Sequence, residues 1–301
     1  MLLETTIPKS ATDFYIEIDY KKGSGSPSRV FRAMSDLIDA LQDTDRSLIR
    51  TLDSKLNPVL LLEDVETGSI RSWLRQEIER VDDDAIKSGD YKKVIALYLV
   101  RCKYAIIRFL DKKTDLSDTG ELEELENHLL KVAEDTDIKM LPAYEPVPRE
   151  KLVRNIEKIN NALAPLNDDD SATFVSQEGE TEFNLTLYIS PETIEDLITA
   201  ETIESEMQMI IKVKKPDFLG VSQWDFRYDN RTISATIIDS NWLEKFQSGQ
   251  IPIVPGDAIR AKVLTQVRYG FDREVVATHY TIVEVLEVIH RDDTFQPPLL
   301  G

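Results

Sequence analysis

The stretch PVLLLEDVETGSIRSWLRQ, residues Pro58–Gln76, joins an apolar run, a group of acids, a Gly-Ser pair and an amphipathic continuation. The apolar run predicts a strand inside a sheet, since it lacks polar alternation. From Ile70 the apolar spacing becomes helical and stays so, with breaks, to about Leu163. We therefore predict a strand, a turn at Gly68, and a helix capped by Ser69.

This stretch also carries the candidate catalytic residues Glu63, Asp64 and Glu66. One functional interpretation is an anion held by the backbone N–H groups of Gly68 and Ser69. The other is a divalent cation held by the three acids, as in a metal-dependent hydrolase or nuclease. A phosphate loop carries more glycines and a nearby lysine, and three acids repel phosphate. The pattern therefore favours a structural turn with a capping serine over either site.

The segments on either side extend the pattern of a small sheet with helices. Residues 13–20 (DFYIEIDY) alternate apolar and polar side chains and predict a strand, and residues 29–52 place apolar side chains at helical spacing. Residues 94–110 (VIALYLVRCKYAIIRFL) are shorter than the roughly 20 residues of a membrane helix and contain three cations. We predict a buried core helix there and no membrane association.

The apolar period changes to two after residues 165–171 (PLNDDDS), and residues 207–289 are nearly all strand-like. The sequence thus predicts an α+β fold. Residues 1–167 form an acidic N-terminal domain with a small sheet and several helices, and residues 168–301 form a small antiparallel β-barrel with one short inserted helix, SNWLEKFQSG. The boundary moves to about Glu204 if the first strands after it return to the N-terminal sheet.

The predicted barrel contains the candidate binding residues Trp224, Arg227 and Trp242. The tryptophans either fill the barrel core or, with Arg227 and nearby lysines, form a stacking surface for single-stranded nucleic acid. Because alternate residues of a strand share a face, Trp224 and Phe226 point to one side and Arg227 to the other. That separation of aromatic and basic side chains favours core packing.

Composition narrows the classes of function. The net charge of −19 and the pI near 4.6 disfavour nucleic acid as a partner, because an acidic surface repels phosphates. The single cysteine, Cys102, excludes an intrachain disulfide and a thiolate zinc cluster, and suits a reducing cytoplasm. The chain begins with no secretory signal pattern, and its three histidines lack metal-ligand spacing. We expect a cytoplasmic protein without metal or cofactor.

Several motifs together resemble a known family. LEDVETGSIRSWL follows a strand and a long helix, and VKKPDFLGVSQWDFRY, PGDAIRAKV and HYTIVEVLEVI follow near the other end. This combination resembles a bacterial family of soluble two-part proteins found near mobile elements and antiviral conflict genes. The resemblance covers most of the chain outside Asp115–Asp170. Its motifs are structural turns, so it implies a genetic context and carries no functional residues.

Three functions remain open at this point. The preferred one is a non-enzymatic interaction subunit, a sensor or adaptor that binds another protein subunit, with a homo-oligomer as a further arrangement. The resemblance implies that such a subunit belongs to an antiviral defence system. The second is the metal-dependent hydrolase or nuclease at residues 63–69. The third is a nucleotide or nucleic-acid binder that uses the predicted barrel.

Overall fold

The computed structural model describes most of the chain, namely residues 7–21, 23, 26, 28–50, 52, 56–66, 70–80, 89–141, 144–220, 222–254 and 256–290. The chain divides into two compact units, Met1–Ile198 and Thr199–Gly301. Each unit is built on its own sheet, so the mixed α+β class predicted from the sequence is confirmed. Among the described residues, no helix is long and apolar enough to cross a membrane.

The first unit contains a five-stranded sheet in which every neighbouring pair is antiparallel. In spatial order the strands are β2 (Leu56–Glu66), β3 (Ile70–Arg80), β1 (Asp13–Asp19), β4 (Ser171–Ser176) and β5 (Gly179–Glu182). The middle strand β1 is the apolar centre, because Phe14, Ile16 and Ile18 are fully buried. This burial matches the alternating pattern from which the strand was predicted.

The prediction of a helix from Ile70 is wrong over residues 70–80, which form β3. That strand pairs with β2 on one side and β1 on the other. Its apolar residues occur at a spacing that fits a helix as well as a strand, and pairing with two neighbouring strands decides between them. The predicted turn at Gly68 and cap at Ser69 lie outside the described residues.

Among its described residues, the first unit has five α-helices beside this sheet. They are α1 (Ser28–Ile49), α2 (Gly89–Leu110), α3 (Thr119–Asp135), α4 (Arg149–Leu163) and α5 (Pro191–Ile198). The predicted core helix lies within α2, where Leu99, Cys102 and Ile106 are fully buried, so that prediction is confirmed. Helix α1 packs against α4, and α2 packs against β3.

A lysine lies in the core of the first unit. Lys103 of α2 is fully buried, and its Nζ donates to the Asp45 carboxylate of α1 at 2.5 Å and to Oε1 of Gln76 on β3 at 2.7 Å. Burial lowers the pKa of Lys103 and raises the pKa of Asp45 to about 6, although their mutual attraction opposes both shifts. One ammonium group thereby joins two helices and the sheet.

A second buried ion pair lies at the start of α1. Asp170, in the acidic segment 165–171 (PLNDDDS), is buried and paired with Arg29. The same carboxylate accepts the backbone N–H groups of Asn167, at 2.8 Å, and Lys21, at 3.3 Å. Burial alone raises the pKa of Asp170, and these donors more than offset it, so the pKa lies below its ordinary value.

The second unit contains β6 (Thr199–Lys215), β7 (Trp224–Tyr228), β8 (Arg231–Ile237), α6 (Ser240–Gln247), β9 (Ala258–Gly270) and β10 (Val275–Ile289). The five strands pair in a closed ring in the order β10, β8, β7, β6, β9. The predicted all-antiparallel pairing is wrong at one seam, because β8 and β10 are parallel. The chain passes through α6 and β9 after β8, so it re-enters the ring beside β8 in the same direction.

Two turns of this unit have the geometry that their residue types favour. Asp229 and Asn230 have positive φ angles of 44° and 62° and join β7 to β8, as a two-residue hairpin of this type requires. Gly256 has φ 103°, and the N–H of Asp257 donates to the carbonyl of Val254 at 3.1 Å, directly before β9. The predicted inserted helix is present as α6, and the side chain of its N-cap, Asp239, accepts the backbone N–H of Trp242.

The structure also bears on the domain boundary. Strands β4 and β5 follow the predicted division at residue 167, yet they pair in the sheet of the first unit. The compact units divide between Ile198 and Thr199. The sequence analysis placed the boundary near Glu204 for the case in which the first strands after residue 167 join the N-terminal sheet, and β4 and β5 do join it.

Candidate functional site

The three candidate catalytic acids lie at the exposed end of β2. Glu63, Asp64 and Glu66 line a pocket of about 420 Å³ together with Trp73 and Arg75 of β3. The register between the two strands shifts between Leu62 and Asp64, which makes Glu63 the extra residue of a β-bulge. The paired strands therefore bring the three acids to the lining of one pocket.

Two of the three acids, Glu63 and Glu66, are engaged by side chains of β3, whereas among the described residues Asp64 accepts only the backbone N–H of Val65. Glu63 pairs with Arg75 at 3.1 Å, and Glu66 accepts from Arg71 at 2.9 Å and from Nε1 of Trp73 at 2.8 Å. In the part of the chain that the structure describes, no three His, Cys, Asp or Glu side chains are placed to hold a metal ion. The arginines neutralise Glu63 and Glu66 and tie β2 to β3, which is a structural use of these two residues.

Of the candidate binding residues in the second unit, the two tryptophans are buried and Arg227 is exposed, as the alternation along β7 predicts for Trp224 and Arg227. Trp224 is 1% exposed and Trp242 is 8% exposed, and both pack with Phe226 and Phe246 in the core of the ring. Arg227 is exposed on the other side of β7. A buried tryptophan offers no surface to a ligand, so these three residues do not form a stacking site.

Cys102, the single cysteine, is buried as well. Cys102 is fully buried in α2, and burial raises the pKa of its thiol to about 12. A thiol that stays protonated at neutral pH is a poor nucleophile. The side chain therefore acts as part of the core.

A surface that the sequence analysis missed lies where three strands extend beyond the closed ring. Strand β6 has 17 residues, whereas its ring neighbour β7 has 5, so most of β6 pairs with β9 alone. Residues 200–208 of β6 are all exposed. With the facing parts of β9 and β10 they form a three-stranded ribbon. The ribbon exists because β6, β9 and β10 are longer than β7 and β8, which complete the ring.

One face of this ribbon carries apolar side chains, interrupted by Ser205 and Thr265. Directly opposed residues of antiparallel strands share a face, and Ile203 is opposite Val267 while Met207 is opposite Val263. On β10, Tyr280 is opposite Thr265, which alternates with Val263 and Val267 on β9, so Tyr280 lies on the same side. We call the side formed by Ile203, Met207, Val267 and Tyr280 the ribbon face. It continues the core-facing rows of the ring, because Val263 and Ile282 in the same row as Met207 are fully buried.

The ribbon face is open to solvent where the core ends. Ile203 is 50% exposed and Met207 is 51% exposed. The opposite face carries polar side chains, with Thr202 opposite Arg268 and Glu204 hydrogen bonded to Gln266 at 2.6 Å. A strand ribbon with one apolar and one polar face normally packs its apolar face against another element.

The edge strand of the ribbon, β6, is acidic on both faces. Glu201 shares the side of Ile203, Glu204 and Glu206 lie on the opposite side, and the first cation of that strand is Lys212. No described strand pairs with the outer edge of β6 between residues 199 and 211. The edge therefore offers backbone hydrogen-bonding groups and negative charge beside an apolar surface.

No protein-family model, curated protein or solved structure matches this chain.

Proposed function

We propose that this chain is a non-enzymatic interaction subunit that docks a partner protein on the ribbon face. The observation that carries the proposal is the half-exposed pair Ile203 and Met207 on the continuation of the ring's own core. Apolar side chains aligned on one face mark interaction sites more reliably than scattered ones do. The closed ring, which we regard as a small barrel, serves as the rigid base of the ribbon.

The charges favour a different protein over a second copy of this chain. Two copies that met at the β6 edge would bring Glu201, Glu204 and Glu206 against like charges, on chains that each carry a net charge of −19. A partner with an apolar patch beside lysine or arginine residues would match both the face and its border. We therefore infer a partner with a basic rim around an apolar contact.

The cellular setting is part of the proposal. The single buried Cys102 suits a reducing cytoplasm. The resemblance to a family found near antiviral conflict genes supports a place in a bacterial defence system, where the subunit would act as a sensor or adaptor. The context stays a prediction, and the docking surface does not depend on it.

A matched pair of variants tests the docking surface. Ile203→Asp places a carboxylate on the ribbon face, and Thr202→Asp places the same charge one residue away on the polar face. We expect Ile203→Asp to weaken partner binding by at least about tenfold, because an interface charge without a counterion is costly, and Thr202→Asp to keep it. The measurement is co-purification of the tagged full chain from its own host, followed by affinity measurement with the captured protein.

Each outcome bears on the proposal. Loss of the captured protein with Ile203→Asp alone supports it. Equal binding by both variants would remove the ribbon face from the interaction. A homodimer that Ile203→Asp dissociates, seen by native mass spectrometry without any other protein, would replace the heterologous partner by a second copy.

A further inference from the structure

A groove in the first unit differs in charge from the acidic chain around it. It has a volume of about 620 Å³ and lies between the last turns of α1, the first turns of α4 and the segment that leads into α4. Five cations line it, against three acids. They are Arg46, Arg50, Lys151, Arg154 and Lys158. A net positive groove is notable on a chain with a net charge of −19.

The pairing inside the groove leaves cations available. Asp43 is shared by Arg46 at 2.8 Å and Lys158 at 2.5 Å, so one carboxylate serves two cations. These two contacts lower the pKa of Asp43, the Lys158 hydrogen bond being the larger cause. In the described part of the chain, the side chains of Arg50 and Lys151 have no ion-pair or hydrogen-bond partner.

The start of α4 adds partial positive charge to the same groove. This 15-residue helix has Pro148 as its N-cap, and no side chain there accepts a hydrogen bond from the first turn. The backbone N–H groups of that turn and the helix dipole therefore favour an anion from outside the helix. Pro148 and Lys151 both line the groove, which places this helix end inside it.

An unsatisfied amide beside the groove is an independent observation in favour of a ligand site. Asn155 lines the groove and is only 4% exposed, and its Nδ2 has no hydrogen-bond partner. Its Oδ1 accepts a weak bond from Ser47 at 3.4 Å. Buried donors are nearly always satisfied, so a small shift of this side chain toward an acceptor in the groove would complete its hydrogen bonding.

We propose that this groove binds a small, multiply charged oxyanion of the phosphate type, held by Arg50, Lys151 and the first turn of α4. The volume is within the range of small-molecule sites, about 300–1,000 Å³. Glu145 and Glu150 also line the groove and oppose the ligand, so they limit its affinity. The ribbon face lies in the other unit. A test of this anion site is therefore independent of a test of the proposed docking function.

Isothermal titration of the full chain with pyrophosphate, ATP and citrate at low salt tests the site. We expect saturable binding of pyrophosphate that weakens as salt is added. ATP binding as tightly as pyrophosphate or more tightly would identify a nucleotide as the source of the phosphates, and weaker ATP binding a free phosphate. Citrate binding more tightly than either phosphate compound would overturn the phosphate assignment, and an absence of binding by all three would overturn the site.

Three variants place the binding in this groove. The double variant Arg50→Gln/Lys151→Gln should weaken pyrophosphate binding by about tenfold or more. Lys131→Gln removes an exposed cation of α3 outside the groove and should leave the affinity unchanged. Glu150→Gln removes an opposing carboxylate and should tighten binding several-fold. Equal affinity across all variants would contradict the assignment of the site to this groove.

Discussion

Lys103→Met should lower the free energy of unfolding of the first unit by about 3–5 kcal/mol, the range for breaking a buried ion pair on one side. Methionine fills much of the space of the lysine chain but leaves Asp45 buried without its cation, and Gln76 without its donor. Urea unfolding followed by the helical circular dichroism signal measures this, since five of the six α-helices among the described residues lie in that unit.

The pH dependence distinguishes this mechanism from a simple packing defect. In the native chain Asp45 has a pKa of about 6, above its unfolded value, so its unfavourable contribution is small below pH 4 and grows as the pH rises to 6. Without Lys103 the folded pKa rises further, and stability should keep falling above pH 6. Lys103→Met/Asp45→Leu should regain most of the loss and flatten this slope. If the single variant were as stable as the native chain at pH 8, the pair would not be a structural centre.

Trp224→Ala should destabilise the second unit by about 3–5 kcal/mol, as expected when a large aromatic leaves a cavity. Trp224 is at the middle of the aromatic core, with ring centres 4.7 Å from Phe246 and 5.8 Å from Trp242. Arg227→Ala on the exposed side of β7 should change stability by less than about 0.5 kcal/mol. Tryptophan fluorescence during denaturation, in a Trp73→Phe background, reports on the ring, because the remaining tryptophans lie in it.

This result also separates stability from binding. We expect Trp224→Phe to keep partner binding, because the contact surface is the ribbon face and not the tryptophan. If a Trp224→Phe variant of unchanged stability lost partner binding, Trp224 would be part of the binding site.

The sequence predicted elements best where one interpretation of the pattern was available. Strand β1 and helix α6 have clear periodicities, and the Asp229-Asn230 turn has the residue types that tolerate positive φ. Strand β3 could not be separated from a helix, because its apolar residues fit both periods and its partners are set by tertiary pairing. The parallel seam between β8 and β10 is likewise a property of the whole path of the chain.

The candidate sites were harder to predict, for a different reason. Glu63 and Glu66 looked available in the sequence, but Arg75 and Arg71, from the facing strand, occupy them. The ribbon face depends on where the ring closes, and residues such as Met207 and Met209 share one pattern although only Met209 is buried. The one signal in the sequence that could have indicated the ribbon face was the length of the β6 pattern compared with that of β7.

The most direct test of the docking proposal is amide hydrogen exchange on the complex purified from the host, compared with the chain after salt has removed the partner. The account predicts slower exchange in the complex at residues 200–208, with little change in β7 and β8. A protein that co-purifies and protects other segments, while residues 200–208 exchange equally in both states, would contradict it.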